Sequence, residues 1–309
     1  MNTKITIDML RMFKSVVVWG LRSDTDSTHR YIHHHLFTVL TKLGIDVIWC
    51  NNIIENNDLI KPGSLVISYN LACANIKYDR KNYYAVLNMP LGKSANPEAA
   101  NYLHMRVYGE VPLEPDSDLW NSSTAFSKRE RLLYQTWATD ILPDEFLPPV
   151  FSTSNIIHWI GSIWNDNNND GNIENIKKLQ QSAVKHQLKF IQHSNVNDET
   201  HVDFIRKSRI APAIGGNSQV VRNMIPCRLW KNISYGQLGV TNLPKSVDIF
   251  GNTIVFNINI DALIDTALSI PEKQYISMIF AQQELVSADH TYLNWLYNIA
   301  RAFGELTSA

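Results

Sequence analysis

Only three of the 309 residues are cysteine: Cys50, Cys73 and Cys227. An odd count with no CxxC spacing argues against a disulfide scaffold and a structural zinc site, and points to a reducing compartment. No stretch reaches the roughly 18 uninterrupted apolar residues of a membrane-crossing helix. An excess of charge of one sign is missing too. Lys and Arg total 28 against 29 Asp and Glu, a net charge of −1. That balance excludes broad nucleic-acid binding and leaves room for a local basic pocket. The opening residues MNTKITIDMLRMFKS carry scattered charges and no long apolar core, so no secretory leader is expected and a cytoplasmic location is. No internal repeat of about 20–50 residues is present, which excludes a solenoid. What remains, 45% apolar and 18% charged residues, is the composition of a globular protein able to bury two cores of roughly 100–200 residues each.

The apolar runs are short, β-branched and separated by helical patterns. KSVVVWG (14–20) reads as a strand buried on both faces and closed by Gly20. After the polar loop LRSDTDSTHR, Ile32, Leu36, Val39, Leu40 and Leu43 fall at helical spacing, and Gly44 ends the helix. Residues 46–50 form the next strand, which completes a βαβ unit and predicts a parallel sheet. Further strands are expected at 64–68, 83–88 and, more weakly, 104–108. Pro143, Pro148 and Pro149 mark a domain junction, after which the cycle restarts. Strands are expected at 156–160, 188–192, 210–214, 238–241 and 253–256. Helices are expected at 173–183, 202–206, 226–235 and 261–268, with an apolar stripe on a closing helix from Tyr292 to Phe303. The tract NDNNNDGN (165–172) is a solvated loop. The fold expected is α/β: two Rossmann-like parallel-sheet domains, 1–145 and 146–285, facing across a cleft, with 286–309 as a closing helix.

In such sheets ligands sit beyond the carboxyl ends of strands, near helix N-termini. The most informative stretch is 209–242, RIAPAIGGNSQVVRNMIPCRLWKNISYGQLGVTN. A strand ends at Gly215-Gly216, where missing side chains let a ligand approach the backbone, and the polar loop Asn217-Ser218-Gln219 follows. Pro226 suits the first position of a helix, and Arg228 lies in its first turn. Free N–H groups and a forked guanidinium there suit a diphosphate. The arginine is the larger contributor: about 4 kcal/mol for a contact near 4 Å at an effective dielectric of 20, before desolvation, against roughly 0.3–1 for the helix end.

This segment resembles the donor-binding region of GT-B glycosyltransferases, especially exostosin-like and CgeB-like members. WATDILP (137–143) is similar to the linker before their second domain, and HTYLNW (290–295) to a motif near the C-terminus of CgeB-like chains. The resemblance covers about 135–300, and the first half only by architecture. It implies transfer of a sugar from a nucleotide-diphosphate donor to a glycan hydroxyl, with no metal and no cofactor beyond the donor. Gly161 and Ser162 would approach the sugar-diphosphate, His193 and Asn195 would border the base, and Asn217, Ser218, Arg228, Lys231 and Asn232 complete the donor set. Many relatives carry Glu where this chain has Lys231. Lysine cannot accept a hydroxyl proton, so Lys231 is expected on phosphate instead. Trp159 and Trp164 are candidates to stack on a base or sugar, though a tryptophan beside a strand is usually core.

Direct displacement at an anomeric carbon needs a base for the acceptor hydroxyl. The loop LRSDTDSTHRYIHHH (21–35) supplies the candidates Asp24, Asp26 and His29, with Arg30 and His33 for the acceptor. Asp24-Thr25-Asp26 also spells the DxD metal motif of GT-A enzymes, as does Asp116-Ser117-Asp118, but neither follows the appropriate strand. The His29/His33 pair at i, i+4 with Asp24 leaves a metal-dependent hydrolase as a minor alternative. A catalytically inactive sugar-nucleotide or glycan-binding protein is the principal one.

Overall fold

The computed structural model describes residues 3–24, 28–88, 101–107, 116–165, 170–194 and 196–307. They form two compact units. The first holds the described residues up to Val107, the stretch 116–135 and the closing residues 292–307; the second holds Thr136–Thr291.

The first unit is built on helix α1 (Thr3–Leu10), strand β1 (Val16–Trp19), helix α2 (Thr28–Lys42) and strands β2 (Val47–Cys50), β3 (Leu65–Tyr69), β4 (Tyr83–Leu87), β5 (Tyr102–Arg106), β6 (Thr124–Ser127) and β7 (Leu132–Gln135). The sheet order is β2-β1-β3-β4-β5-β7-β6, parallel except for β6. Val16, Val17, Val18 and Trp19 are all sealed from solvent, as a central strand covered on both faces must be. Ile32, Leu36, Val39 and Leu40 bury one face of α2, and Gly44 at φ +69° lets the chain leave the helix. The closing helix Tyr292–Thr307 packs on α1, and its Phe303 meets Phe13 and Tyr83 edge to face at 5.9 and 5.3 Å. The chain passes from β1 to β2 on one side and returns to β3 on the other. The carboxyl ends of β1 and β3 therefore flank the switch point where such sheets hold ligands.

The second unit contains β8 (Ile156–Ile160), α3 (Ile173–Lys185), β9 (Lys189–His193), α4 (Asp198–Lys207), α5 (Asn217–Val221), α6 (Cys227–Ser234), β10 (Val240–Thr241), α7 (Lys245–Phe250), β11 (Val255–Phe256), α8 (Ile260–Ser269) and α9 (Glu272–Asp289). β8 pairs with β9, and β10 with β11, both in parallel. The expected strand over 210–214 is present as an extended segment without a continuous ladder. Arg209 N–H donates to Ile156 O at 2.7 Å, and Ala213 N–H to Val240 O at 2.8 Å. Between them Pro212 has no N–H to give, so pairing is interrupted there. Ile157, Trp159, Leu179, Ile210, Ile214, Leu238, Val240, Leu263 and Ile279 form the core.

Five elements lie outside the expected set: α1, the β6–β7 hairpin, α5, α7 and the 18-residue α9. The buried face of α9 includes Gln282, whose Oε1 accepts from Gly239 N–H at 2.8 Å. That polar residue interrupts the apolar stripe by which the helix would have been read. Among the described residues no helix is long and apolar enough to cross a membrane.

Gly20 closes β1 at φ +95°, and a Cβ there would lie 2.8 Å from Ala72 O. Gly20→Ala combines backbone strain with a collision and is expected to lower stability by about 1–3 kcal/mol, measured by urea denaturation.

Candidate functional site

The site in the second unit begins where β8 ends. Gly161 sits at φ +129° and donates its N–H to His193 O at 3.3 Å. Helix α6 starts at Cys227, with Pro226 as the flanking residue at φ −69° and ψ 152°. Pro226 thus stands one position before the helix it was expected to open. Arg228 is the second helical residue, and its Nη2 donates to Ile160 O at 2.9 Å. Its Cζ lies 3.8 Å from the centroid of the Trp159 ring. A Cβ at Gly161 would collide with Nη2, so glycine is required there by backbone conformation and by the guanidinium alike.

The electrostatics of this placement are one-sided. Loss of water pulls Arg228 down to about 10, and among the described residues no carboxylate offsets that shift. A cation in the first turn of a helix faces the positive end of the macrodipole. The first N–H groups of α6 have no intrahelical acceptor. A desolvated guanidinium, a helix N-terminus and no counter-charge among the described residues together leave positive charge unneutralised, an environment that favours an anion.

The Gly215-Gly216 turn is held from several sides. Gly215 N–H donates to Asn242 Oδ1 at 2.7 Å, Asn175 Nδ2 donates to Gly215 O at 2.8 Å, and Gly216 N–H donates to Gln219 Oε1 at 2.9 Å. A Cβ on Gly216 would strike Gly171 O. The loop after β8 is tied to the same turn. Asn172 links Trp164 N–H (2.9 Å) to Ser162 O (3.1 Å), and Ser218 N–H donates to Asp170 O at 3.0 Å. Ser162 and Asn217 are exposed; the Ser218 amide is committed to protein.

Lys231 and Asn232 lie in the interior. Lys231 Nζ pairs with Asp140 at 3.1 Å, with side chains 3% and 14% exposed. Asn232 Nδ2 donates to Ala211 O at 2.8 Å. The lysine expected on phosphate instead ties α6 to the junction segment, where Thr139 Oγ1 also meets Ser234 Oγ at 3.0 Å. His193 Nε2 shares a 2.8 Å hydrogen bond with His158 Nδ1 and stacks on Phe204 at 4.1 Å. Burial lowers the proton affinity of both rings. Asn195 lies outside the described residues.

In the first unit His29 occupies the switch point. Its ring stacks on Tyr69, at the end of β3, with centroids 3.7 Å apart, and its Nε2 is 3.5 Å from Asn88 Nδ2. Asn88 holds φ +56° just past β4. That conformation, uncommon for a residue with a side chain, was not visible in the sequence. Desolvation lowers His29 to about 4, so its imidazole is neutral at neutral pH. His33 is wholly buried and donates from Nδ1 to His29 O at 2.6 Å, which removes it from the surface where acceptor contact was expected. Arg30 Cζ lies 5.8 Å from the Trp49 ring centroid. Asp24 is half-buried with its N–H on Leu21 O at 3.2 Å; Asp26 lies outside the described residues.

Of the acidic motifs, Asp116 accepts from the N–H groups of Lys128 (2.8 Å) and Arg129 (3.0 Å), which makes it a turn cap. A different group, His186, Asp261 and Asp265, has metal-like spacing on the surface. Lys185 Nζ already pairs with both of its carboxylates, at 2.8 and 3.4 Å.

No protein-family model and no curated protein sequence matches the chain. Solved structures do. The β-glucosyltransferase of T4 phage aligns with a TM-score of 0.52 at 12% identity, over 96% of this chain and 100% of that one. The UDP-forming α,α-trehalose-phosphate synthase from Burkholderia vietnamiensis aligns with a TM-score of 0.50 at 8% identity, over 92% and 80%. Its counterpart from Burkholderia xenovorans, in complex with glucose-6-phosphate, aligns with a TM-score of 0.51 at 9% identity, over 91% and 80%. These are GT-B glycosyltransferases, and the chain shares their mixed α/β fold with its Rossmann-like parallel core.

Two outcomes follow from the buried charges. Asp140→Ala strands the Lys231 ammonium and is expected to destabilise by about 3–5 kcal/mol, whereas Asp140→Leu combined with Lys231→Met recovers most of the loss; urea titration distinguishes them. His29 and His33 are held at about 4 against 6.5 for the free side chain. The unfolded chain therefore takes up protons first as pH falls, and stability present above about 6.5 is lost between 6.5 and 4. The slope is about 1.4 kcal/mol per pH unit for each such histidine, and His33→Gln should flatten it in urea titrations from pH 7.5 to 4.5.

Proposed function

We propose that this chain is a glycosyltransferase that moves a sugar from a nucleotide-diphosphate donor to a hydroxyl of a glycan acceptor, without a metal. The observation that carries this reading is the Arg228 guanidinium, desolvated at the start of α6 and without a carboxylate partner among the described residues. The comparison with enzymes whose descriptions include UDP-forming synthesis and a UDP-glucose substrate supports a nucleotide-diphosphate donor. The likeness of residues 226–242 to exostosin-like and CgeB-like chains supports the donor assignment to the second unit.

On this reading, departure of the nucleoside diphosphate from the anomeric carbon builds negative charge on its terminal phosphate. Arg228 and the α6 N–H groups stabilise that charge. Gly161 keeps the approach to the guanidinium open, and Ser162 and Asn217 are exposed nearby along the chain's own loops. The first unit supplies the acceptor contacts through Arg30, with Asp24, Asp26 and His29 as candidate bases. His29 is neutral at neutral pH and so has a lone pair to take the acceptor proton.

Lys231 favours the second reading, a binding protein without turnover, because a lysine buried on Asp140 stands where many of the family it resembles carry a Glu that accepts from ribose. The two differ in product: a transferase releases free nucleoside diphosphate, and a binding protein does not.

Titration with UDP, GDP and their sugars, followed by calorimetry and thermal shift, tests the donor assignment. Arg228→Ala is expected to weaken donor binding by about 1–3 kcal/mol, and turnover is expected to survive EDTA. An unchanged titration in Arg228→Ala would remove this residue from the site and the reading with it.

A further inference from the structure

We propose that Trp159 is a positioning residue for Arg228: its indole face and the Ile160 carbonyl hold the guanidinium in its diphosphate-binding orientation before any ligand arrives. This rests on the assignment of Arg228 to the donor diphosphate. The sequence leaves Trp159 between core packing and stacking on a base or sugar. The structure gives its ring a different neighbour, a guanidinium whose Cζ is 3.8 Å from the ring centroid.

Three independent features converge on that arrangement. First, Nη2 is fixed by a 2.9 Å hydrogen bond to Ile160 O, the residue next to Trp159 on β8. Second, position 161 is glycine, and any Cβ there would displace Nη2. Third, Trp159 is 1% exposed, yet its Nε1 has no hydrogen-bond partner among the described residues. A buried indole ordinarily finds one. Tryptophan stands at a position where phenylalanine would leave no donor unmet, and what it offers over phenylalanine is the larger and more electron-rich face.

An arginine in free rotation loses side-chain freedom when it grips an anion, and that loss subtracts from affinity. Stacked on indole and tethered to a main-chain carbonyl, Arg228 is ordered beforehand and presents its remaining N–H groups as a fork. The ring also answers part of the positive charge that neither a carboxylate nor the helix end answers, without occupying the edge that meets phosphate. A carboxylate in the same role would compete with the ligand.

The test is a double-mutant cycle with UDP and inorganic pyrophosphate as titrants, each variant's stability being measured separately by urea denaturation. Trp159→Met removes the π face and is expected to weaken UDP and pyrophosphate binding roughly tenfold, while Trp159→Phe keeps a face and weakens it by about threefold. Neither substitution should lower affinity further in an Arg228→Ala background. If Trp159→Met does not fold, the Trp159→Phe arm decides alone: a loss that vanishes with Arg228→Ala supports the role. Equal losses with and without Arg228 would show that Trp159 acts only through packing and would overturn the proposal. So would wild-type affinity in the Trp159 variants when Arg228→Ala itself has lost binding, an outcome that leaves the donor assignment standing. Wild-type affinity in Arg228→Ala defeats the donor assignment itself.

Discussion

A positive charge at the positive end of a helix, partly withdrawn from water and with no acid beside it among the described residues, costs free energy in the absence of a ligand. Arg228 is in that position on α6, and the adjacent structure limits the cost without cancelling the charge. The Ile160 carbonyl accepts one N–H and the Trp159 ring covers one face. Both are neutral, so the guanidinium keeps its net charge for an incoming anion. The φ of +129° at Gly161 is part of the same arrangement, since only a residue without Cβ leaves Nη2 its place. The strand end, the turn and the helix start are thus specified by one side chain.

The charge that the sequence suggested would share this work is used differently. Lys231 is buried with Asp140, a pairing in which desolvation offsets much of the Coulomb gain. Its effect is geometric: it fixes α6 against the junction segment, assisted by Thr139 with Ser234 and by Arg206 Nη1 on Tyr235 O at 2.6 Å. Elsewhere the second unit ties its loops with amides. Asn172, Asn175 and Asn242 satisfy backbone groups around Gly215 and Ser162. Uncharged ties of this kind leave the local field to the guanidinium and the helix end.

The legible parts of the chain were those where local pattern and tertiary burial agree. β1, α2 and β2 follow from the valine run, the heptad-like leucines and Gly44, and β8, α3 and β9 follow by the same logic. The hairpin β6–β7 was hidden because TAFS and LLYQ are short and show neither alternation nor an apolar run, and α9 because Gln282 stands where its buried stripe should continue. At the site, Arg228 and Gly161 were readable from turn chemistry and helix-start chemistry, which are local. The stacking of Trp159 on Arg228 joins residues 69 positions apart and has no local signature. The burial of His33 likewise depends on which face of α2 meets the sheet, a choice that three consecutive histidines leave open.

In the first unit, the environment of His29 bears on which chemistry a base there can perform. The imidazole is neutral because burial, with one face of the ring covered by Tyr69, disfavours the charged form. Raised in isolation, that would describe a poor base, since a group held at about 4 binds a proton weakly at neutral pH. Desolvation is only one of the forces that set the affinity, however; a nearby negative charge favours imidazolium and raises it. An imidazole buried against Tyr69 answers to whatever charge is brought beside it, and that sets His29 apart among the candidate bases of the proposed reading.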